Sequence, residues 1–170
     1  MKLKLMGLLA ALSILASCGS SHKASSSSSN AAYNIPTGLQ SSFSAQYPGA
    51  THVIWSPYDV NTSPIDWDLT DWTVLTPKDY TATFDMNGNR YYAWYDANGN
   101  WVGSTYVMSN NGLPSSLNNT ISSRYSGYTV DKVNRVMWKD RTAYEVKLKN
   151  GNSKAKVLID ENGNIIKEIK

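Results

Sequence analysis

The stretch "IPTGLQSSFSAQYPGAT" from Ile35 returns as "LPSSLNNTISSRYSGYT" from Leu113, and this recurrence limits the possible folds more than any other feature of the chain. Pro36, Leu39, Phe43, Tyr47 and Gly49 are matched by Pro114, Leu117, Ile121, Tyr125 and Gly127, each 78 positions later. In both copies apolar residues recur at every fourth position, behind a proline that a first helical turn tolerates and ahead of a glycine that can end a helix. The spacing predicts an amphipathic helix of about three turns in each copy. Its many Ser and Asn residues are poor helix formers, so packing of the apolar stripe has to hold it.

The downstream halves repeat as well. "YTATF" at 80–84 aligns with "YEVKL" at 144–148, and "YYAWYDANGNWV" at 91–102 with "AKVLIDENGNII" at 155–166, now 64 positions apart. The shorter offset gives the first copy 14 extra residues between Trp55 and Tyr80. Both segments alternate as half-buried strands do. Tyr144, Val146, Leu148, Ala155, Val157 and Ile159 share one face, which by alignment puts Tyr80, Ala82, Phe84, Tyr91, Ala93 and Tyr95 inside the first copy. Tyr92 and Trp94 are then expected to face away from the helix. Asn-Gly dipeptides at 87–88, 98–99, 150–151 and 162–163 separate the alternating runs, as hairpin turns with positive φ require. The expected class is α+β: two tandem αββββ units, an antiparallel sheet with the helices on one face.

The motifs "DMNGN", "DANGN" and "DENGN" also invite a calcium reading, since oxygen-bearing side chains sit at alternate positions. An EF-hand loop needs glycine at its sixth position and glutamate at its twelfth. From Asp96 these are Trp101 and Val107, from Asp85 they are Arg90 and Asp96, and from Asp160 the chain ends first. The turn reading fits all three motifs, and no metal is expected.

Ahead of the units, Lys2 and Lys4 precede an apolar run from Leu5 to Ala16, too short to span a bilayer, that ends in "LASC". Leu15 to Cys18 resemble a lipobox, which marks Cys18, the single cysteine of the chain, for lipidation. "GSSHKASSSSSN" from Gly19 lacks the apolar surface to fold and reads as a tether. The chain thus divides into a signal peptide at 1–17, lipidated Cys18 with its tether to 32, a first unit at 33–108 with an insertion at about 56–79, and a second at 113–170. The serines after Cys18 lack an acidic surface-export cluster, so an outer-membrane anchor facing the periplasm is expected.

Catalytic machinery is sparse. His22 lies in the tether and His52 beside a strand, no thiol–imidazole pair or zinc spacing is present, and no nucleophile elbow occurs. Neither an enzyme nor a cofactor is expected.

The "LP..L...F...YPGA" pattern shared by the helices, the following "V.W", the tyrosine-led alternating strand and the "D.NG" turn, twice over behind a lipoprotein signal, resemble the beta-lactamase-inhibitor-like, PepSY-like domain of Bacteroidetes envelope proteins. The resemblance covers about 33–170 and implies a non-catalytic envelope protein whose two units share a sheet. As in the beta-lactamase inhibitory protein, that sheet would offer a concave face to a partner. The insertion, and "YSGY" in place of "YPGA" in the second copy, depart from the pattern.

Two surface features bear on partners. Residues 31–107 carry seven acidic and two basic side chains, whereas 113–170 carry six acidic and eleven basic ones. Lys147, Lys154 and Lys156 fall on the outer face of the second unit. On the outer face of the first, Thr81, Thr83, Tyr92 and Trp94 are uncharged, and the insertion adds Trp67 and Trp72 among Asp66, Asp68 and Asp71. These six uncharged residues are the candidate partner-binding set, because Trp and Tyr combine large apolar area with a polar handle. Either the insertion extends this surface or it folds back over Tyr92 and Trp94. The expected partner is an envelope protein or peptide, with a glycan stacked on tryptophan, or an assembly role without a discrete ligand, as alternatives. The membrane is met through the lipid alone, and export argues against nucleic acid.

Overall fold

The computed structural model describes residues 34–169 apart from 66, 68, 70 and 71. The signal segment, Cys18, the tether with His22, and Asp66, Asp68 and Asp71 lie outside the described residues. The elements run α1 (Thr37–Gln46), β1 (Thr51–Pro57), β2 (Tyr80–Met86), β3 (Asn89–Tyr95), β4 (Trp101–Met108), a 3-10 turn (Asn110–Gly112), α2 (Ser115–Arg124), β5 (Thr129–Trp138), β6 (Arg141–Asn150), β7 (Ser153–Asp160) and β8 (Ile165–Ile169). The strands form one antiparallel sheet in sequence order. Helix followed by four strands occurs twice, and the β4–β5 pairing, from Ser104 opposite Met137 to Met108 opposite Val133, joins the halves.

Each helix starts where the sequence places it. Pro36 and Pro114 both hold φ at −54°, and their carbonyls accept the first helical N–H bonds, from Gln40 and Asn118. The prolines therefore occupy the cap, one residue before the first helical turn. The Gln40 and Asn118 side chains reach back to donate to the Ile35 and Leu113 carbonyls at 3.0 and 3.1 Å. At the far end Gly127 turns with φ 83°, whereas Gly49, behind Pro48, keeps a negative φ.

Both helices lie on one face of the sheet. Leu39, Phe43 and Tyr47 of the first half close on Ala82, Phe84, Tyr91, Ala93 and Tyr95. This core is aromatic: Phe43 meets Phe84 edge-on at 5.0 Å, and Tyr47 lies 4.7 Å from the same ring. Leu117, Ile121 and Tyr125 close on Val133, Tyr144, Val146, Leu148, Ala155, Val157 and Ile159, a largely aliphatic core. The inward residues assigned by alternation are the ones that pack here, Tyr80 at the margin.

The Asp-Asn-Gly motifs are turns whose polar atoms are spent locally. Asp96 Oδ1 accepts the N–H groups of Asn98 and Asn100 at 2.9 and 2.8 Å, and its Oδ2 accepts the Asn100 amide. Asp160 repeats the pattern with Asn162 and Asn164. Gly99 and Gly163 supply the positive φ, 85° and 89°. A side chain on Gly163 would collide with Ser116 and Thr120, because the turn docks on α2, where the Thr120 hydroxyl donates to the Gly163 carbonyl at 2.6 Å. Burial alone would raise the Asp96 and Asp160 carboxyls. The Asn100 and Asn164 amides and the turn N–H groups outweigh it and hold both below the usual range.

A third core lies on the opposite face. The insertion folds back so that Ile65, Leu69 and Trp72 cover Trp94, Val136, Trp138, Ala143 and Leu158, across β3 to β7. Trp72 sits over Gly103, where a Cβ would stand 2.6 Å from its ring.

Two outcomes follow. Gly103→Ala should displace Trp72 and lower stability by about 1–3 kcal/mol, the usual cost of overpacking, as read by urea unfolding; an unchanged midpoint would contradict the contact. Because their folded carboxyls are depressed, Asp96 and Asp160 contribute stability above the unfolded pKa of about 3.9 and lose it as pH falls through the folded value. The Asp96→Asn/Asp160→Asn protein should therefore show a shallower loss of melting temperature between pH 5 and 2, at about that range, than the parent; equal slopes would contradict the turn geometry.

Candidate functional site

The face without helices carries every candidate contact residue, and the insertion divides it. Beneath the insertion lies the row Thr81, Trp94 and Gly103, each opposite the next across β2 to β4, with Trp138 of β5 in the same core. Trp94 is 1% exposed, with its ring 5.5 Å from Trp72 and set edge-on. Its expected role as a freely presented contact residue is therefore corrected: the side chain does leave the helix face, but the chain's own Trp72 takes the surface it offers. Trp72, half-buried, also lies 6.3 Å from Trp138. Trp94 keeps no uncovered ring of the kind that sugar stacking uses. Trp67 is half-buried as well, with the Lys156 ammonium 4.5 Å from its ring centre.

Beyond the insertion the face stays accessible as a strip toward the β2–β3 and β6–β7 turns. Thr83 is opposite Tyr92, and Tyr92 is opposite Thr105. Tyr92 is half-buried, packed on one side against the insertion's core, and, with Arg90, Val107, Lys132 and Pro64 of the insertion, lines a depression of about 210 Å³ at whose floor Thr105 is buried. Val107 is 38% exposed. Of the six candidates, the structure thus brings Tyr92 and Thr83 to the open strip, and gathers Trp67, Trp72 and Trp94 at the insertion, with Thr81 beside Trp94.

At one end of the strip Asp85 accepts from Arg90, with Arg90 Nη2 to Asp85 Oδ2 at 3.0 Å, and lies 3.2 Å from His52 Nδ1. His52 is exposed and has φ 50° within a bulge between Thr51 and Ile54. Its imidazole serves an exposed acid–base cluster. Among the described residues no group of three His, Cys, Asp or Glu side chains could hold a metal.

Toward the other end, Asn134 Nδ2 donates to Glu145 Oε1 at 3.0 Å, and Lys147 Nζ lies 3.7 Å from the same oxygen. Glu145 is 1% exposed, between Asn134 on β5 and Leu158 on β7. Alternation alone gives this residue to solvent, and the sequence offers no signal for its burial. Past it come Lys132, Lys147, Lys149, Lys154 and Lys156. Lys132 and Lys149 were not among the outer-face lysines singled out by sequence; the strand register identifies them.

Three solved structures share this architecture. A DUF2874 family protein from Bacteroides uniformis ATCC 8492 is 24% identical with a TM-score of 0.63, over 79% of this chain and 88% of that one. A BLIP-like protein from Bacteroides fragilis NCTC 9343 is 23% identical with a TM-score of 0.63, over 81% and 87%. The third, from Bacteroides eggerthii DSM 20697 and described as "putative periplasmic proteins", is 18% identical with a TM-score of 0.61, over 79% and 88%. At these identities the likeness is one of fold. No curated protein matches the chain. Residues 78–167, from the approach to β2 into β8, match the family described as "Putative beta-lactamase-inhibitor-like, PepSY-like". Since that match takes in more than half of the sequence, the chain belongs to the beta-lactamase-inhibitor-like, PepSY-like family.

Proposed function

We propose that the protein is a non-catalytic binding module of the cell envelope, built from two tandem αββββ units and recognising a protein or peptide through the open strip of its helix-free sheet face. The carrying observation is the division of that face. The insertion spends Trp72 and Trp94 on each other and packs against one side of Tyr92, while Arg90, Val107 and the lysines beside it remain accessible. A paired sheet is a rigid platform, so side chains presented on it lose little freedom on binding. Membership of an inhibitor-like family supports a non-enzymatic role. Tyr92 is the anchor of choice in the strip, because half-buried tyrosine supplies area and a hydroxyl with few rotors to freeze.

Lipid on Cys18 would hold the module at the outer membrane, facing the periplasm, a compartment named for the Bacteroides eggerthii relative. Two or three acyl chains anchor stably because each buried methylene contributes about 0.8 kcal/mol. In a Cys18→Ser chain the protein should move from the membrane fraction to the soluble fraction of the envelope; retention in the membrane fraction would refute the anchor.

A photo-crosslinking side chain at position 92 or 107, introduced in cells, should trap a discrete partner that the same group at Ser41, on the exposed side of α1, does not. Tyr92→Ala should reduce the trapping from position 107 about tenfold, as loss of a binding anchor does. Equal trapping from position 41 would refute the face.

A further inference from the structure

The two units share a β-bulge and differ in what covers it. In the first, Trp94 stands opposite Gly103 and Tyr95 opposite Trp101, which leaves Val102 as the extra residue. Sixty-four positions later Leu158 stands opposite Lys167 and Ile159 opposite Ile165, which leaves Ile166. The strand irregularity is the same, yet Val102 is 7% exposed, within the core on the helix-free face, and Ile166 is 45% exposed.

The preceding connections account for the difference. Between Pro57 and Tyr80 the first unit has a segment long enough to lay Trp72 over Gly103 and against Trp94. In the second unit Lys139 and Asp140 alone join β5 to β6, with Lys139 at φ 50°. No segment of that unit is available to cover Ile166. A cleft of about 380 Å³ lies there instead, where buried Leu158 and Trp138 meet exposed Ile166, and Leu69 is the insertion's contribution to its lining.

We propose that this cleft docks a tryptophan side chain of a protein partner, at the place that Trp72 fills within the first unit. The chain itself supplies the argument for the occupant, because an indole already covers the equivalent bulge. Tryptophan is also suited to the task, combining a large apolar area with few rotors to freeze. The rim carries both signs, Asp140 and Glu161 with Arg141 and Lys167, so the apolar lining rather than net charge selects the ligand. Lys167 replaces Gly103, and an occupant therefore meets Ile166 and its neighbours instead of settling on strand backbone as Trp72 does. The cleft lies by the β5–β6 and β7–β8 turns, at the opposite end of the helix-free face from the strip that holds Tyr92 and Val107. It is a second contact, and does not rest on the reading of that strip.

The test titrates the full chain, with its isoleucine and leucine methyl groups carbon-13 labelled, with the capped peptide Gly-Ser-Trp-Ser-Gly and with versions carrying Leu or Ala in place of Trp. The Ile166 and Leu158 methyl resonances should move saturably with the Trp peptide, at an affinity about tenfold above that of the Leu peptide, and should not saturate with the Ala peptide. Ile166→Ser, read at the Leu158 methyls, should weaken the Trp peptide about tenfold and leave the urea midpoint at the parent value, because the side chain it removes is exposed. A lowered midpoint would mean that the chain already packs Ile166, and overturns the proposal. So does equal affinity for the Leu peptide, or an equal loss of binding in Val107→Ser, at the other end of the face. A concentration-dependent dimer that Ile166→Ser dissolves would assign the cleft to a second copy and overturns it as well. If the Trp peptide fails to bind while trapping from positions 92 and 107 persists, the cleft proposal falls and the strip stands; the reverse pattern removes the strip and keeps the cleft.

Discussion

Where β4 passes Gly103, the Trp72 ring fills the space that a side chain would take, and from there it meets Trp94 at 5.5 Å and Trp138 at 6.3 Å. Around this contact strands β3 to β7 are buried on both faces. This one contact fixes the boundary between closed and open surface, and with it the choice of residues left to meet a partner. Any larger residue at 103 would lift the insertion and expose Trp94, Val136 and Leu158 together, a contiguous apolar patch of the kind that soluble surfaces avoid.

Much of the fold was legible because it rests on local periodicity and turn chemistry. The proline-to-glycine helices, the inward tyrosines of β2 and β3, and the Asp-Asn-Gly turns all follow from rules that act within a few residues. The fate of Trp94 was not legible. An aromatic residue on the outward phase of a strand reads the same whether a partner or the chain's own insertion covers it, and no periodic signal runs through 56–79 to say where that segment lies. Glu145 shows the same gap. A glutamate on the outward phase is expected in water, and its burial depends on Asn134 and Leu158, brought beside it by strand register from either side.

The charge asymmetry between the halves gains a structural meaning from the single sheet. With β4 paired to β5, the acid-rich first half and the base-rich second half present their outward side chains on one continuous surface. The open strip runs from the Asp85–Arg90 pair, through Tyr92 and Val107, to five lysines. On the proposed function, such a gradient would orient an incoming chain before contact. The two helices take no part in this surface. Each instead closes the core of its own half.

The account depends most on the position of the insertion, and a proton NMR spectrum of the folded protein tests it directly. A Trp72 ring packed on Gly103 should shift the Gly103 Hα resonances well away from their ordinary values and give cross-relaxation between those protons and the Trp72 ring. Gly103 Hα resonances at ordinary values, with no cross-peak to an indole, would place the insertion elsewhere and return Trp94 to the open face.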